Sequence, residues 1–395
     1  MNKKTVRDID VTSKRVLLRV DFNVPLEKGT KRILDDTRIR AALPTINYLR
    51  EHHASIILVS HLGRPDGKVV DALRMAPVVA RLAELLRTNV ASATDVVGPS
   101  AREVVEAMHP GDLAMLENVR FEPGEERNDP ALAQQLASFA DIYVNDAFGA
   151  AHRAHASTAG VADDLPAVAG FLMEKEIDYL SRVVGDPEPP LAAIIGGAKI
   201  SSKIAVLQHL LSKVQILLIG GGMASTFLKA QGVAVGASLV EDDQLQMCRD
   251  ITAEAQTRGV ILGLPVDAVV AERFAAEARS QTVDVGAVPN GWMILDVGPL
   301  TVADYESKLG AVKTVIWNGP LGVAEWAPFA QGSHAIARFL ADLDATVVIG
   351  GGETVAMVSD LGLADRYSHV STGGGASLEF LEGRTLPGVA ALMDR

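Results

Sequence analysis

Arginine and histidine side chains recur in the first half of the sequence, in loops that follow apolar segments. The planar guanidinium group of arginine binds phosphate and carboxylate groups with two hydrogen bonds, so such a cluster suits a small ligand with several negative charges. The residues that share this placement are Arg38, His61, Arg64, Arg120, His152 and Arg153. We therefore expect the first half of the chain to hold a multiply charged anion with side chains.

The second half repeats a different pattern, in which an apolar run ends in glycines. Glycine allows close approach of a backbone, and free amides at the start of a following helix bind phosphate. The four runs are Ile194–Gly197, Leu218–Gly222, Val348–Gly352 and Ser371–Gly375. We expect this half to hold phosphates with main-chain amides. A chain with both kinds of site is expected to move a phosphoryl group between two ligands.

Charged residues follow two of these glycine runs. Lys199 and Lys203 are four residues apart, so on a helix they would share one face, which is unfavourable unless an anion binds there. Glu353 follows Gly350–Gly352, and a carboxylate beside a phosphate-binding turn requires a cation such as Mg²⁺. The alternative for Glu353 is an ordinary first-turn acid that is favoured by the helix dipole.

Other motifs have simpler structural interpretations. Asp21 and Asn23 are suited to bind ligand hydroxyls or to cap a turn, and Glu325 is suited to bind ribose or to lie in a loop. His152 and His155 have a spacing found in metal sites, but the intervening Arg153 would repel a cation, so anion binding is favoured. Neither the P-loop motif nor the dinucleotide fingerprint occurs.

Composition excludes several classes of protein. The 395 residues are 48% hydrophobic and 22% charged, which fits a soluble protein of two domains. The net charge of −12 argues against a nucleic-acid partner. No apolar run approaches ~20 residues, so we expect no membrane span, and the polar N-terminus favours the cytoplasm. The single cysteine, Cys248, excludes an internal disulfide and a cysteine-rich metal site.

Apolar runs alternate with segments of helical periodicity, which predicts an α/β fold with mainly parallel, doubly wound sheets. Polar residues or glycines follow the predicted strands, and ligands bind beyond the carboxyl ends of parallel strands. Each half is therefore expected to carry its own crevice. The predicted strands are Val16–Val20, Ile56–Ser60, Leu113–Leu116, Ile142–Asn145, Leu191–Ile195, Ile216–Ile219, Val260–Leu262, Met293–Asp296, Val315–Trp317 and Thr346–Ile349.

A linking helix is predicted at Gly170–Gly185, where Met173, Ile177, Leu180 and Val184 have the spacing of one helix face. Prolines at 187, 189 and 190 follow it and cannot continue a helix. We therefore expect domains at residues 1–169 and 186–375, joined by the helix at 170–185.

Taken together and in order, these motifs resemble phosphoglycerate kinase, from about Val6 to Leu392. The segments that match the family are Arg19–Pro25, Asp36–Ile39, Ser60–Pro65, Leu116–Phe121, Asp146–His155, Gly196–Lys203, Trp317–Pro320 and Gly373–Glu379. The resemblance implies two doubly wound, Rossmann-like domains joined by a hinge helix, with residues 376–395 returning to the first domain. It also implies a reversible, Mg²⁺-dependent phosphoryl transfer from 1,3-bisphosphoglycerate to ADP, giving 3-phosphoglycerate and ATP, in glycolysis or gluconeogenesis. A monomer is implied as well.

The resemblance also implies roles for individual residues. Phosphoglycerate would be bound by Asp21, Asn23, Arg38, His61, Leu62, Gly63, Arg64, Arg120 and Arg153. The nucleotide would be bound by Gly197, Lys203, Gly220, Gly221, Gly222, Asn318, Glu325, Gly351, Gly352, Glu353 and Thr354. We further hypothesise that the transferring group is stabilised by Arg38 and Lys199, one from each domain, with Mg²⁺ and the amides that follow Gly373 and Gly374.

One residue departs from the family pattern. The family usually has aspartate as the magnesium ligand after the third glycine, whereas this chain has the longer Glu353. Two other classes remain as alternatives: a dehydrogenase, against which the missing dinucleotide fingerprint argues, and a non-catalytic nucleotide or polyanion sensor. Lys199 and Arg38 favour the kinase, because a sensor has little use for charge directed at the midpoint between two ligands.

Overall fold

Apolar runs rich in β-branched residues form the strands, and amphipathic segments form the helices that connect them. The computed structural model describes residues 2–27 and 29–395. The chain divides into two units, one comprising Met1–Asp178 with Thr385–Arg395 and the other Tyr179–Arg384. Each unit is built on a six-stranded parallel sheet.

The sheet of the first unit has the strand order β3-β4-β2-β1-β5-β6. Its strands are β1 (Arg15–Arg19), β2 (Ser55–Val59), β3 (Ala91–Ser92), β4 (Leu113–Met115), β5 (Ile142–Asn145) and β6 (Ala167–Ala169). All five residues of β2 are buried, as expected for a central strand covered on both faces. The parallel register brings the ends of β1, β2, β4 and β5 to one edge of the sheet.

Four helices connect the strands of this unit. They are α1 (Thr37–Glu51), α2 (Ala76–Leu86), α3 (Pro99–Glu106) and α4 (Pro130–Ala137). Proline occupies the first turn of α2, α3 and α4, where its missing N–H has no cost. The first turn of α1 includes Arg38.

The predicted linking helix is present as α5 (Phe171–Gly185). Met173, Ile177 and Leu180 are buried as the spacing predicts, but the next buried residue is Val183, not Val184. A step of three residues instead of four keeps the buried positions on one face of a helix with 3.6 residues per turn.

The second unit has a parallel sheet in the order β15-β14-β13-β7-β8-β9, and a separate antiparallel sheet in the order β11-β10-β12. Met293–Asp296, predicted as a strand, belongs to this antiparallel sheet. The strands are β7 (Leu191–Ile195), β8 (Ile216–Ile219), β9 (Ile261–Gly263), β10 (Asp267–Ala271), β11 (Ser280–Asp284), β12 (Met293–Val297), β13 (Thr314–Asn318), β14 (Thr346–Gly350) and β15 (His369–Val370).

Seven helices belong to the second unit, and a short eighth one, α13, returns to the first. They are α6 (Ile204–Leu211), α7 (Gly222–Ala230), α8 (Leu245–Arg258), α9 (Pro299–Leu309), α10 (Gln331–Asp342), α11 (Gly352–Asp360), α12 (Gly375–Leu381) and α13 (Pro387–Ala390). Within residues 2–27 and 29–395, no helix combines the length and apolar character that crossing a membrane requires.

Candidate active site

The carboxyl edge of the first sheet brings together most of the side chains predicted to bind an anion. Asp21 and Asn23 follow β1, the loop His61–Arg64 follows β2, and Arg120 lies in a short 3₁₀ turn after β4. The parallel strands explain this convergence, because their carboxyl ends meet at one edge of the sheet.

Arg38 is fixed at this edge by an ion pair. Its Nη1 lies 2.6 Å from Oδ2 of Asp21, and the arginine side chain is 36% exposed. Burial of Asp21 opposes ionisation, but the guanidinium groups of Arg38 and Arg19 lower the pKa of the carboxyl. Asp21 therefore stays ionised and holds a guanidinium group that still reaches solvent.

The loop that follows β2 is held by two asparagines and an arginine. The Gly63 amide donates to Asn23 Oδ1 at 2.8 Å, and the Leu62 amide donates to Asn118 Oδ1 at 3.1 Å. Arg120 Nη1 donates to the Gly63 carbonyl at 2.8 Å. Gly63 adopts a φ of +65°, and a Cβ there would lie 2.7 Å from Leu73 Cδ2, so the turn requires glycine.

His61 and Leu62 are buried at the base of this loop, whereas Arg64 is exposed at its end. Burial, together with the guanidinium groups of Arg19, Arg120 and Arg38, lowers the pKa of His61 to about 3 against the attraction of Asp21. The imidazole is therefore neutral at physiological pH. Arg64 is the freely accessible cation of the loop.

The segment after β5 supplies one more exposed cation. Arg153 is exposed, and its Nε donates to His152 Nε2 at 3.2 Å. His155 points elsewhere: it is buried, and burial lowers its pKa to about 4. Among the described residues, no group of three or more histidine, cysteine, aspartate or glutamate side chains is arranged to hold a metal ion.

Arg19 is a functional candidate that the sequence interpretation missed. It is only 1% exposed, and its Nη2 lies 3.2 Å from His61 Nδ1. An arginine at the end of the apolar strand β1 is the signal that could have identified it, because arginine is almost never fully buried unless it is paired.

In the second unit, the glycine runs end strands of the parallel sheet and pack against one another. A Cβ on Gly196 would lie 2.0 Å from the Pro320 carbonyl oxygen, and one on Gly221 would lie 2.6 Å from the Gly197 oxygen. The Gly197 and Gly221 amides donate to carbonyls of Pro320 and Leu321 at 3.1 and 2.8 Å. These amides, which we expected to face phosphates, are thus engaged in holding the turns together.

Two helices begin directly at the glycine runs. Helix α7 begins after Gly221, with a φ of +67°, and α11 begins after Gly351, with a φ of +85°. No side chain caps either helix. The Met223 amide of α7 donates to the Gly197 carbonyl at 3.1 Å. The first amides of α11 have no partner inside the helix, which is the arrangement that binds phosphate.

Lys203 and Asn318 form the polar centre of this edge. Lys203 Nζ donates to Asn318 Oδ1, and the buried Nδ2 of Asn318 has no hydrogen-bond partner within the described chain. Burial lowers the pKa of Lys203 to about 8 against the opposing effect of the carboxylates of Glu353 and Glu382. Lys203 therefore lies within the electrostatic influence of Glu353, as expected if both act on one nucleotide.

The segment that holds Lys199 differs from the prediction. Helix α6 begins only at Ile204, so Lys199 and Lys203 do not share a helix face. Gly197 has a φ of +119°, and the Ser201 amide donates to Glu241 Oε2 at 3.0 Å, so residues 197–203 form turns instead. Lys199 is exposed on this turn, whereas Lys203 is half-buried at the start of α6.

Other predicted residues already have partners. The Thr354 hydroxyl accepts from the Gly319 amide at 2.9 Å, and the Gly373 amide donates to Ser371 Oγ at 3.1 Å. Gly374 has a φ of +53° and precedes α12. Thr354 and Gly373 therefore stabilise turns at the carboxyl edge of the parallel sheet in the second unit.

A cavity of about 270 Å³ lies against these turns. Glu325 and Glu353 are exposed at its wall, and Gly220 packs on Leu321. The sequence interpretation gave no role to Asp296, which also lines the cavity and is 1% exposed. Burial raises the pKa of Asp296 to about 7, although the amides of Gly332 and Val297 donate to its oxygens at 2.9 Å. This carboxyl ties β12 to the start of α10.

Comparison with known proteins identifies the family. The sequence model of phosphoglycerate kinase matches residues 6–384. The phosphoglycerate kinase of Moorella thermoacetica is 56% identical over 395 residues, and that of Roseiflexus sp. is 57% identical over 396 residues, each with 100% of both chains covered. The chain belongs to the phosphoglycerate kinase family.

Solved structures agree with this assignment. The phosphoglycerate kinase of Coxiella burnetii is similar with a TM-score of 0.90 at 41% identity, covering 98% of each chain. That of Pyrococcus horikoshii is similar with a TM-score of 0.86 at 32% identity, again covering 98% of each. The predicted α/β fold class and family are thus confirmed. This phosphoglycerate kinase family member is a phosphotransferase with a carboxyl group as acceptor, which uses ADP and ATP.

Proposed function

We propose that this phosphoglycerate kinase family member catalyses reversible, Mg²⁺-dependent phosphoryl transfer from 1,3-bisphosphoglycerate to ADP. The observation that best supports the proposal is the Asp21–Arg38 ion pair beside the clamped loop at His61–Arg64. It presents guanidinium groups to a small polyanion, while the turns of the second unit suit a nucleotide. Phosphoglycerate would then bind at the first edge and ADP or ATP at the second.

This chemistry requires charge stabilisation more than proton transfer. The reacting oxygens belong to a carboxylate and to a nucleotide diphosphate, and both are ionised near neutral pH. No general base is therefore needed, and catalysis rests on alignment and on neutralising the charge of the transferring group. We assign this task to Arg38 and Lys199, with the amides that follow Gly373 and Gly374.

The residues present fit a magnesium ion held mainly by the nucleotide. Mg²⁺ in kinase sites keeps several waters and binds one or two carboxylates together with substrate phosphates. Glu353 supplies one exposed carboxylate in the first turn of α11, beside the half-buried Lys203. We assign Glu353 as the protein ligand, and the bound ion would neutralise phosphate charge.

Binding of the two substrates to separate units requires a closing motion before transfer. Closure would exclude water and so prevent hydrolysis of ATP or of the acyl phosphate. Small-angle X-ray scattering should show a smaller radius of gyration when both substrates are added than with either alone. An unchanged profile would contradict closure, and the same data would test our expectation of a monomer.

The direct test is ATP formation from 1,3-bisphosphoglycerate and ADP, with and without Mg²⁺. Robust turnover only with Mg²⁺ is the expected result. Binding of both ligands without turnover would instead indicate a sensor, and Glu353→Asp would then show whether a misplaced metal ligand is responsible.

A further inference from the structure

A continuous line of buried hydrogen bonds leads from Glu125 to the imidazole of His61. Ser157 Oγ donates to Glu125 Oε1 at 2.6 Å, and Arg19 Nε donates to Ser157 Oγ at 2.8 Å. At the other end of the guanidinium group, Arg19 Nη2 lies 3.2 Å from His61 Nδ1. Arg19 therefore links the loops that contain Glu125 and Ser157 to His61 in the candidate active site.

The chemistry of arginine fixes the tautomer of His61. A guanidinium group has only donors and stays protonated in proteins. In its hydrogen bond with Arg19 Nη2, His61 Nδ1 must therefore be the acceptor. In a neutral imidazole the proton then resides on Nε2, which becomes a donor.

Burial makes this arrangement specific. Arg19, Ser157 and Glu125 are at most 1% exposed, and His61 is 6% exposed. Water has little access, so Arg19 can be held only by its protein partners. The Ser157 amide also donates to Glu125 Oε2 at 3.0 Å, so both oxygens of this carboxylate are engaged by the same residue.

The remaining Arg19 and His61 contacts agree with a fixed orientation. Arg19 Nη1 donates to the Val20 carbonyl, so each nitrogen of the guanidinium group has an acceptor. Burial lowers the pKa of His61 to about 3, which keeps the imidazole neutral wherever the enzyme is expected to work.

We propose that Ser157 and Glu125 are positioning residues for substrate binding. Through Arg19 they hold His61 as the Nε2–H tautomer, so that Nε2 donates a hydrogen bond to the phosphoglycerate ligand. The inference rests on the proposed function, because it assumes that this ligand binds at His61. Ser157 and Glu125 themselves do not touch the substrate.

The tautomer can be measured without any assay of activity. Long-range ¹H–¹⁵N correlation spectra distinguish Nε2–H from Nδ1–H imidazoles, and comparison with His61→Gln identifies the His61 signals among the nine histidines. We expect the Nε2–H form in the unmodified enzyme. In Ser157→Ala we expect a mixture of tautomers, with the KM for 3-phosphoglycerate raised about three- to tenfold and kcat nearly unchanged.

Tyr143→Phe is the matched control. The Tyr143 hydroxyl donates to the Ser157 carbonyl at 2.8 Å, so this variant loosens the same residue but leaves the Oγ contacts in place. It should lower the melting temperature without changing the tautomer or the KM. Should Ser157→Ala fold poorly, Ser157→Cys keeps the volume and retains only a weak hydrogen-bonding group.

An Nδ1–H tautomer in the unmodified enzyme would overturn the proposal, as would equal effects of Ser157→Ala and Tyr143→Phe. Failure of the unmodified enzyme to bind 3-phosphoglycerate would instead refute the proposed function. In that case the tautomer and its response to Ser157→Ala would still decide whether Ser157 positions His61.

Discussion

Arg38 Nη1 lies 2.6 Å from Asp21 Oδ2, and the two residues come from the start of α1 and the loop after β1. The carboxylate is largely buried and stays ionised, since its pKa is lowered by the guanidinium groups of Arg38 and Arg19 against the effect of burial. The guanidinium group is therefore held in place before any ligand binds. Such preorganisation is what a charge-stabilising residue needs.

Arg38→Ala should lower kcat by about a hundredfold or more. Removing one preorganised protein group that stabilises the charge of the transition state has effects of this size. The matched control is Arg40→Ala on the same helix. Arg40 is exposed, and its ion pair at 2.8 Å is with Asp36 instead of Asp21. Turnover measured with saturating substrates should stay within about twofold for this control, since surface ion pairs have small effects. Near-normal turnover of Arg38→Ala would refute the assignment.

Lys203 should make nucleotide binding dependent on pH. Burial lowers its pKa to about 8, so the cation that we assign to nucleotide binding is lost as the pH rises above that value. The KM for ADP should then increase by up to about tenfold per pH unit above pH 8, while the KM for 3-phosphoglycerate changes little. Steady-state kinetics between pH 7 and 10 would measure both constants.

Two variants separate this effect from general alkaline damage. Lys203→Arg keeps its charge throughout the range, so its KM for ADP should be flat. Glu353→Gln removes a carboxylate that raises the pKa of Lys203, so the increase in KM should begin at a lower pH. The same alkaline increase in Lys203→Arg would show that another group titrates.

Glu353→Gln should also raise the Mg²⁺ concentration needed for half-maximal turnover by about tenfold or more, because the amide is a poor ligand for a hard cation. Asp365→Asn, which removes another exposed acid of the second unit, is the control. A magnesium titration of initial rates measures the shift. Equal requirements in the unmodified enzyme and in Glu353→Gln would mean that the ion is held without this residue.

The sequence was sufficient to predict most strands of both parallel sheets and the residues at their carboxyl ends, because apolar strands that end in polar or glycine residues are a local signal. It was insufficient for the orientation of β12. The predicted strand at Met293–Asp296 pairs antiparallel with β10, and strand direction within a sheet is decided by tertiary pairing rather than by local apolar content.

The prediction for Lys199 and Lys203 failed for a related reason. A spacing of four residues indicates a shared face only if the segment is helical, and the turn at Gly197 delays α6 until Ile204. The partners of Arg19 were equally hidden, since Ser157 and His61 are far from it in the sequence. Hydrogen bonds between distant loops leave no local periodicity.

Asp146 gives a stability prediction that is independent of catalysis. It lies after β5, is fully buried, and its Oδ1 accepts from the Leu172 and Met173 amides at 2.9 and 3.1 Å. These are first-turn amides of α5, so the carboxyl caps that helix. Burial raises its pKa from 3.8 to about 6.

The sign of the pH effect follows from proton linkage. Between pH 4 and 6 the folded state binds the Asp146 proton more tightly than the unfolded state does, so the free energy of unfolding falls as the pH rises. The shift corresponds to about 3 kcal/mol, and its effect is complete above pH 6. His61 acts in the opposite direction, because its pKa is lowered to about 3. The total pH profile therefore combines these two groups with others, among them Asp296 and His155.

A comparison of variants isolates the Asp146 contribution. Asp146→Asn keeps an oxygen for both amides and removes the charge, so its free energy of unfolding should fall less than that of the unmodified protein between pH 4 and 7. The exposed Asp141→Asn is the control and should follow the unmodified profile. Urea unfolding at several pH values would measure the difference, which should approach about 3 kcal/mol. Parallel profiles for Asp146→Asn and the unmodified protein would mean that the buried carboxyl does not take up a proton as α5 folds onto it.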